Sequence, residues 1–382
     1  MRTVRDAAFD VFRRTGLTTI FANPGSTEVS LLAGLPGDLE FVLALHEGSV
    51  VGMATGWAVA RERPALVLLH TTAGLGNAVG AIATARVNRA PLVVLVGQQD
   101  RRHLALEPFL TGRLSGLAGD YPVWTDQPVR AQDVPGAVAR ACHEAVTARG
   151  PAIVVVPMDD WSAPAGDARP VPGDGPPPGP DSSSRAVPGR AAPAGNGAEG
   201  EVLAAAARVV RPVAVADTDL APLVDRLAAA RSPVLVVGAG ADSAAAWEAL
   251  TALAELLRCP VWQESFGARA GFPQDHPQFA GVLPAARSRL REALAGHDAV
   301  LAVGAPVFRQ YPYEPGPLLA PGTAVAVVTD DPAEAHRSPA DLAYLASPSA
   351  VCARLTALLP ARPSAAPRPP RSAPPAPPGP GE

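Results

Sequence analysis

The chain has 382 residues and a mass of 39.0 kDa, and 48% of its residues are apolar. This is enough for two hydrophobic cores, so a small disulfide-stabilised protein and a wholly disordered chain are excluded. The 32 basic and 36 acidic side chains give a net charge of −4 without a run of one sign, so we expect no nucleic-acid partner and no membrane partner.

The cysteines and the N-terminal sequence bear on the cellular compartment. The three cysteines are far apart in sequence and match no metal-site spacing. The first residues hold no apolar stretch of the kind found in secretory signals. The most apolar window, residues 64–85, contains His70, Asn77 and three glycines, which indicates a buried strand and helix rather than a membrane span. We therefore expect a soluble, cytoplasmic protein with reduced thiols.

Short apolar segments alternate with helical patterns from the start of the chain. The predicted strands are continuously apolar, which is typical of a parallel sheet with both faces covered. They cover residues 19–22, 40–44, 65–70, 92–97 and 152–157. Helical patterns cover residues 3–15, 47–61, 76–88 and 134–148. This order predicts a doubly wound α/β domain over residues 1–161.

A second region repeats the same order. Strands are predicted at residues 233–238, 260–263, 299–304 and 324–329, with helices at 243–257 and 285–295. They predict a second parallel-sheet domain, Rossmann-like, over residues 202–360. Residues 162–201 and 361–382 hold nine prolines each, so we expect a disordered linker and a disordered tail there.

Three chemically useful side chains follow successive strands of the first domain. Ser26 lies in a Pro-Gly turn after the first strand, Glu47 begins the helix after the second, and His70 ends the third. Because ligands bind at the carboxyl ends of parallel strands, one ligand could contact all three. Each also has a structural explanation: a helix N-cap, a favourable charge at a helix start, and a buried histidine, respectively.

Glycine-containing segments follow strands in both domains. After His70, residues 71–77 predict a loop of small residues ahead of the next helix. In the second domain, Gly238 and Gly240 suggest a dinucleotide-binding loop, but the third glycine of that pattern is absent. A structural role is the favoured interpretation there.

Motifs that occur together in one enzyme family are present in the correct order along both domains. They are FANPGSTE at 21–28, LALHEGSVVGMATGWA at 43–58, LHTTAGLGNAVGAI at 69–82, PLVVLVGQQ at 91–99, VPMDDW at 156–161, FPQDHPQFAGVLP at 272–284 and GHDAVLAVGAPVFRQYPYEPGPLLAPGT at 296–323. On these motifs the chain resembles thiamine diphosphate (ThDP)-dependent enzymes, most closely the benzoylformate decarboxylase branch. The resemblance implies a pyrimidine-binding domain followed by a middle domain.

The resemblance also implies catalytic roles. ThDP acts as the electron sink in decarboxylation of a 2-oxo acid, and its aminopyrimidine exchanges a proton with a carboxylate. Glu47 occupies that position, where apolar surroundings would raise its pKa. Ser26 matches the residue that holds the substrate carboxylate. His70 and His276 match histidines that transfer protons near the bound 2-oxo acid.

Other positions match the walls of the cofactor and substrate pockets. Small side chains there permit close approach of the cofactor. The cofactor-binding residues implied in addition to Glu47 are Asn23, Pro24, Gly25, Gly74 and Asn77. Phe109 and Leu110 are expected to line part of the substrate pocket, together with Ser26.

A third, diphosphate-binding domain completes this family's active site across a dimer, and holds Mg²⁺ through a Gly-Asp-Gly motif and an Asn. Here the family-like sequence ends near Leu359. The one Gly-Asp-Gly, residues 173–175, lies in the predicted linker, so we interpret it as coincidence. We therefore expect no metal ligands on this chain and expect the Mg²⁺ ligands on a missing domain. The expected partners are copies in a homodimer or tetramer, or a separate chain that carries this domain.

The sequence thus predicts a component of a ThDP-dependent decarboxylase. Its substrate would be an aromatic or bulky 2-oxo acid such as benzoylformate, and its products an aldehyde and CO₂. An acetolactate synthase-like carboligase component is the nearest alternative. A truncated, non-catalytic binding or assembly protein is another, although the presence of all four acid–base positions argues against a decayed remnant.

Overall fold

The computed structural model describes residues 2–165, 215–267, 269–311 and 313–361. Residues 2–165 belong to one compact unit and residues 215–361 to a second. Most of the predicted linker (166–201) and tail (362–382) lies outside the described residues, so their predicted disorder and the exact domain limits stay predictions.

A six-stranded sheet with the order β2-β1-β3-β4-β6-β5 forms the centre of the first unit. Every strand pairing in it is parallel. The strands are β1 Thr19–Asn23, β2 Glu40–Leu43, β3 Ala65–Leu69, β4 Leu92–Gln98, β5 Trp124–Asp126 and β6 Pro151–Pro157. The helices are α1 Val4–Thr15, α2 Val29–Leu32, α3 Glu47–Arg61, α4 Thr71–Val87 and α5 Val134–Ala148. Short 3₁₀ helices span Ser26–Glu28, Arg101–Leu106, Ala131–Asp133 and Asp160–Ser162.

Helices cover both faces of this sheet, as the apolar strands predict. Strands β3, β4 and β6 are buried at every residue. One core cluster joins the sheet to α1 and α5, and another joins it to α3 and α4. The N-terminus of α1 is fixed by a capping box between Thr3 and Asp6, whose backbone amides and side chains bond reciprocally.

The prediction of a loop over residues 71–77 is wrong. Helix α4 begins at Thr71, directly after His70, and includes all of these small residues. Leu75 and Ala78 are fully buried, and the Cβ position of Gly74 lies 3.2 Å from the carbonyl carbon of Leu69. Close packing on β3 therefore outweighs the low helix propensity of glycine.

The second unit contains another parallel six-stranded sheet, in the order β12-β11-β10-β7-β8-β9. Its strands are β7 Pro233–Val237, β8 Val261–Gln263, β9 Phe279–Val282, β10 Ala299–Val303, β11 Ala324–Thr329 and β12 Leu342–Leu345. Its helices are α6 Asp217–Ala229, α7 Ala244–Leu257, α8 Arg287–Ala293, α9 Pro332–Arg337 and α10 Pro348–Leu358, with a 3₁₀ helix at Ala239–Ala241. The two sheets confirm the α/β prediction for both regions. No helix in the described part of the chain is both long and apolar enough to cross a bilayer.

The glycines after β7 are used for packing within the second unit. A Cβ at Gly238 would lie 2.7 Å from Cβ of Ala305 and 2.9 Å from the carbonyl oxygen of Gly304. Gly304 itself has a φ of +61°, and its Cβ position lies 2.3 Å from the Ala241 amide nitrogen. Two strand-end loops meet here without room for side chains, which supports the structural interpretation of this segment.

Candidate active site

Three neighbouring strands end at one edge of the first sheet. Asn23, the last residue of β1, pairs with Leu69 of β3, and the residue before it pairs with Leu43 of β2. The segments that follow these strands therefore begin side by side. They are the turn that contains Ser26, the N-terminus of α3 and the N-terminus of α4.

Glu47, the first residue of α3, is held by two asparagine side chains. Asn23 donates from Nδ2 to Oε1 over 3.0 Å, and Asn77 donates from Nδ2 to Oε2 over 3.1 Å. The Glu47 residue is only 7% exposed. Each carboxylate oxygen thus has an amide donor, one from the end of β1 and one from α4.

These donors decide the ionisation of Glu47. Burial raises the pKa of its carboxyl, but hydrogen bonds from Asn77, from its own backbone amide and from Asn23 together bring the pKa below its usual value. The expectation of a raised pKa is therefore wrong for this structure. The surroundings of Glu47 offer hydrogen-bond donors where the sequence suggested apolar contacts, and they stabilise the carboxylate form.

His70 forms a second polar cluster with two residues of the turn after β1. Its Nδ1 lies 2.9 Å from Oε2 of Glu28 and 3.0 Å from Oγ1 of Thr27. Thr27 donates in turn to Oε1 of Glu28. Glu28 is 1% exposed and Thr27 is fully buried, while the His70 side chain is 18% exposed. The imidazole is thus anchored on its Nδ1 side.

Sequence reasoning missed this role of Glu28 and Thr27. The sequence signal for this role was the Thr-Glu pair after the Pro-Gly turn. A carboxylate three residues after Gly25 can accept a hydrogen bond from the Gly25 amide. The structure shows this contact, from the Gly25 amide to Oε2 of Glu28, at 2.7 Å.

Two glycines make room for the His70 cluster. A Cβ at Gly25 would lie 2.5 Å from Cγ and Nδ1 of His70. A Cβ at Gly97, near the end of β4, would lie 1.7 Å from Oε1 of Glu28 and 2.3 Å from Oγ1 of Thr27. At each position the Cβ atom of any other residue would overlap these side-chain atoms, so the cluster depends on glycine at both positions.

Ser26 lies exposed at the beginning of the short 3₁₀ helix. Gly25 occupies the N-cap position, so the alternative interpretation of Ser26 as a helix cap is wrong. Among the described residues, none forms a hydrogen bond with the Ser26 hydroxyl. Pro24, which precedes this turn, is half-buried. The hydroxyl is available to a ligand at this edge of the sheet.

The loop that carries Phe109 and Leu110 is fixed by two glutamines at the end of β4. Gln98 is buried, donates to the Gly112 carbonyl over 2.7 Å and accepts from the Gly112 amide over 3.0 Å. Gln99 donates to the carbonyl of Phe109 over 2.8 Å. Phe109 is 88% exposed and Leu110 is half-buried. No hydrogen bond within residues 2–165 joins either of them to Ser26, Glu47 or His70.

His276 belongs to the second unit, where both of its ring nitrogens have partners. Nε2 lies 3.3 Å from Oε1 of Glu255 on α7, and Nδ1 accepts from the Gln278 amide over 3.2 Å. The ring also packs edge-on against Phe272, with centroids 5.2 Å apart. His276 is therefore a packed side chain with a partner at each ring nitrogen.

Sequence models of one enzyme family match both units. The model of the thiamine pyrophosphate enzyme N-terminal TPP-binding domain matches residues 2–117, and that of the central domain matches residues 220–355. Together the matches cover well over half of the chain. The chain belongs to the thiamine pyrophosphate enzyme family.

Relatives of this ThDP family member include decarboxylases. The chain is 40% identical over 373 residues to the benzoylformate decarboxylase of Pseudomonas aeruginosa. This match covers 97% of the present chain and 64% of the relative. The solved structure of the ThDP-dependent 4-hydroxybenzoylformate decarboxylase of Rhodococcus jostii RHA1 matches with a TM-score of 0.82 and 36% identity, again covering 97% and 64%. An acetolactate synthase large subunit of Haemophilus influenzae is 26% identical over 296 residues, covering 76% and 46%. The chain thus spans less than two thirds of the length of these decarboxylases.

The first unit of this ThDP-family chain suits the pyrimidine half of the cofactor. A carboxylate oxygen can accept more than one hydrogen bond, so Glu47 keeps acceptor capacity beyond its two asparagine partners. Among the described residues there is no group of three or more His, Cys, Asp or Glu that could hold a metal ion.

Proposed function

We propose that the chain is a component of a ThDP-dependent, non-oxidative decarboxylase. Its substrate would be an aromatic or bulky 2-oxo acid such as benzoylformate, and its products an aldehyde and CO₂. The observation that carries the proposal is the Glu47 carboxylate held between Asn23 and Asn77 at the sheet edge. The benzoylformate decarboxylase of Pseudomonas aeruginosa also matches 97% of this chain at 40% identity, whereas the acetolactate synthase of Haemophilus influenzae matches 76% of it at 26% identity.

Glu47, with Asn23 and Asn77, would hold the pyrimidine of the cofactor. When bound, ThDP supplies the electron sink that a 2-oxo acid needs to lose CO₂. The lowered pKa of Glu47 keeps its carboxylate ionised near neutral pH, ready to accept a hydrogen bond from a ring N–H. The two amides keep both oxygens in fixed positions, so that the acceptor does not need to reorganise.

Ser26 and His70 would act on the substrate. Decarboxylation of a 2-oxo acid anion to an aldehyde takes up one proton for each CO₂ released. The exposed Ser26 hydroxyl can donate to the substrate carboxylate, and the imidazole of His70 can hold a proton on the nitrogen opposite its anchored side. Phe109 and Leu110 are proposed to contact the substrate side chain.

His276 stays a predicted second proton donor. Because its nitrogens contact Glu255 and the Gln278 amide, it must release the Glu255 contact before Nε2 can serve a substrate. A contact at 3.3 Å to an exposed glutamate is weak enough for such a release.

The proposed partners are further copies of the chain, as a homodimer or tetramer, or a separate chain with a diphosphate-binding domain. The exposed face of α3 and α4 supports this. Cβ atoms at Gly52, Gly56, Gly76 and Gly80 would meet no heavy atom within 4 Å. Each glycine in a helix costs about 1 kcal/mol relative to alanine, so a glycine-rich exposed helix face favours close approach of another backbone.

Mg²⁺ is proposed as the counter-ion of the cofactor diphosphate. This ion prefers oxygen ligands in octahedral geometry and commonly bridges phosphate groups to carboxylates. We propose that its protein ligands come from the diphosphate-binding domain of the partner.

A fusion enzyme tests the proposed function. Residues 1–361 would be joined to the part of the Pseudomonas aeruginosa relative that lies outside the match, and assayed with ThDP and Mg²⁺. Benzaldehyde and CO₂ from benzoylformate are the expected products. Acetolactate from pyruvate, without benzaldehyde from benzoylformate, would favour the carboligase instead. A folded, cofactor-bound fusion without either product would contradict both and leave a binding or assembly role.

A further inference from the structure

Glu28 is a buried carboxylate to which the proposed function gives no role. It is 1% exposed and lies in the turn after β1. Its Oε2 receives the Gly25 amide hydrogen over 2.7 Å and lies 2.9 Å from Nδ1 of His70, while its Oε1 receives the Thr27 hydroxyl. A carboxylate removed from water needs such partners, and here one of them is the histidine ring at the site.

The hydrogens in this cluster can be assigned from its contacts. Thr27 has a single hydroxyl hydrogen, which it donates to Oε1 of Glu28, so its oxygen is an acceptor toward His70. Oε2 of Glu28, which already receives the Gly25 amide, accepts as well. Nδ1 of His70 therefore faces two acceptors, at 2.9 and 3.0 Å. This arrangement is satisfied only when Nδ1 carries a hydrogen.

We propose that Glu28 is a positioning residue that fixes His70 in the tautomer with its hydrogen on Nδ1. In the neutral ring, Nε2 then holds a lone pair, and no hydrogen bond within the described residues engages it. Which imidazole nitrogen is protonated is generally set by the hydrogen bond of the other nitrogen. The part that this tautomer plays in proton transfer rests on the proposed decarboxylase function. The tautomer itself does not.

Fixing the tautomer has a defined chemical consequence. A neutral imidazole with Nε2 unprotonated can take a proton from a bound molecule and later return it from the same atom. The opposite tautomer would present an N–H at that atom and could not accept. Glu28 would also hold the ring plane against Gly25, where a Cβ would meet Cγ and Nδ1 at 2.5 Å.

Nitrogen-15 NMR of the full chain tests the tautomer directly. The chain has seven histidines, and the His70 signals would be identified by their absence in a His70→Gln variant. In the neutral state we expect the pattern of an imidazole protonated at Nδ1. A wild-type His70 protonated at Nε2 would overturn the proposal, and this measurement needs no folded variant of Glu28.

Two variants then test whether Glu28 is responsible. In Glu28→Met, which has similar length and no acceptor, Thr27 can turn its hydroxyl toward His70, and we expect Nε2–H to become the major form. In the matched control Thr27→Val, Glu28 remains and Nδ1–H should persist. If Thr27→Val switches the tautomer and a folded Glu28→Met does not, Glu28 is not the positioning residue. These NMR results do not depend on ThDP or on turnover. A failure of the fusion assay would therefore count against the proposed decarboxylase function and not against the tautomer of His70.

Discussion

Glu47 shows how the sign of a pKa shift depends on the neighbours of a buried group. The motif that contains Glu47 predicts its position at a helix start, but the chain order alone does not show that Asn23 and Asn77 converge on it. Asn77 lies on α4 and donates to Glu47, although α4 begins five residues earlier than predicted. Hydrogen bonds from Asn77, from the backbone of Glu47 itself and from Asn23 together outweigh burial and lower the pKa of Glu47.

Glu47→Gln should therefore destabilise the chain in a pH-dependent manner. At pH 7 the glutamine turns an amide donor toward one asparagine donor, which should lower the free energy of unfolding by about 1–3 kcal/mol. Because the folded-state pKa lies below the ordinary 4.5, ionised Glu47 stabilises the fold above pH 4.5, and this contribution is lost as the pH falls through the folded-state value. Urea unfolding at pH 7 and below pH 4 would measure the difference in free energy of unfolding between wild type and Glu47→Gln. The control is Glu62→Gln, because Glu62 is exposed. If the difference in free energy of unfolding between wild type and Glu47→Gln is the same at both pH values, the ionised form of Glu47 does not stabilise the fold.

Gly97 tests the space available to the Glu28 cluster. Gly97→Ala places a methyl group 1.7 Å from the present Oε1 of Glu28, so we expect a loss of about 1–3 kcal/mol from overpacking. The matched control is Gly37→Ala, whose Cβ position has no heavy atom within 4 Å. Denaturant unfolding measures both. Equal stability of the two variants would argue that the cluster is looser than the structure indicates.

At the scale of elements, apolar patterning was a good guide to strands and a poor guide to where α4 starts. Strands β1 to β4 and β6 lie within one residue of their predicted bounds. A strand of a parallel sheet that is covered on both faces is apolar along its whole length, so its sequence marks both of its ends. Strand β5, with only three residues, is too short to leave a pattern. The packing of Glu28 against Gly97 was not predictable, because the turn after β1 reaches Gly97 on β4 across the intervening β3.

The glycine-rich face of α4 gives a prediction with opposite signs for folding and assembly. Gly76→Ala and Gly80→Ala should each raise the stability of the dissociated chain by up to about 1 kcal/mol, because alanine is the better helix former and its methyl meets nothing. If another backbone approaches this face, the same methyl groups should weaken self-association. Sedimentation velocity over a dilution series, with unfolding measured in parallel, separates the two effects. Unchanged association of both variants would remove the support that this face gives to the proposed oligomer.

The loop after β4 depends on one side-chain amide. Gln98→Met keeps the volume but leaves the amide and carbonyl of Gly112 without their partner. We expect faster hydrogen exchange at the Gly112 amide and easier proteolysis around Phe109, with a stability loss of about 1–3 kcal/mol. Gln99→Met, which removes a single contact to the Phe109 carbonyl, is the milder comparison. Equal exchange in wild type and Gln98→Met would show that the loop is held by other contacts.

At the scale of the whole molecule, ordered motifs identified the family better than any single residue could. Each candidate side chain had an ordinary structural explanation, and for Ser26 the structure removes it, since Gly25 is the cap. For His276 the family motif gave a role, but only the structure shows that Glu255 and Gln278 occupy its nitrogens. Side-chain partners of this kind come from packing between elements distant in sequence, which motifs do not encode.

Glu47 is proposed to provide the carboxylate of a ThDP-dependent decarboxylase site. Benzoylformate turnover by the fusion enzyme, compared between wild type and Glu47→Gln, tests it most directly. We predict that the variant stays folded and loses at least about 100-fold in kcat, the usual size of a lost acid–base group. Turnover by a folded Glu47→Gln fusion within a few-fold of wild type would contradict the claim.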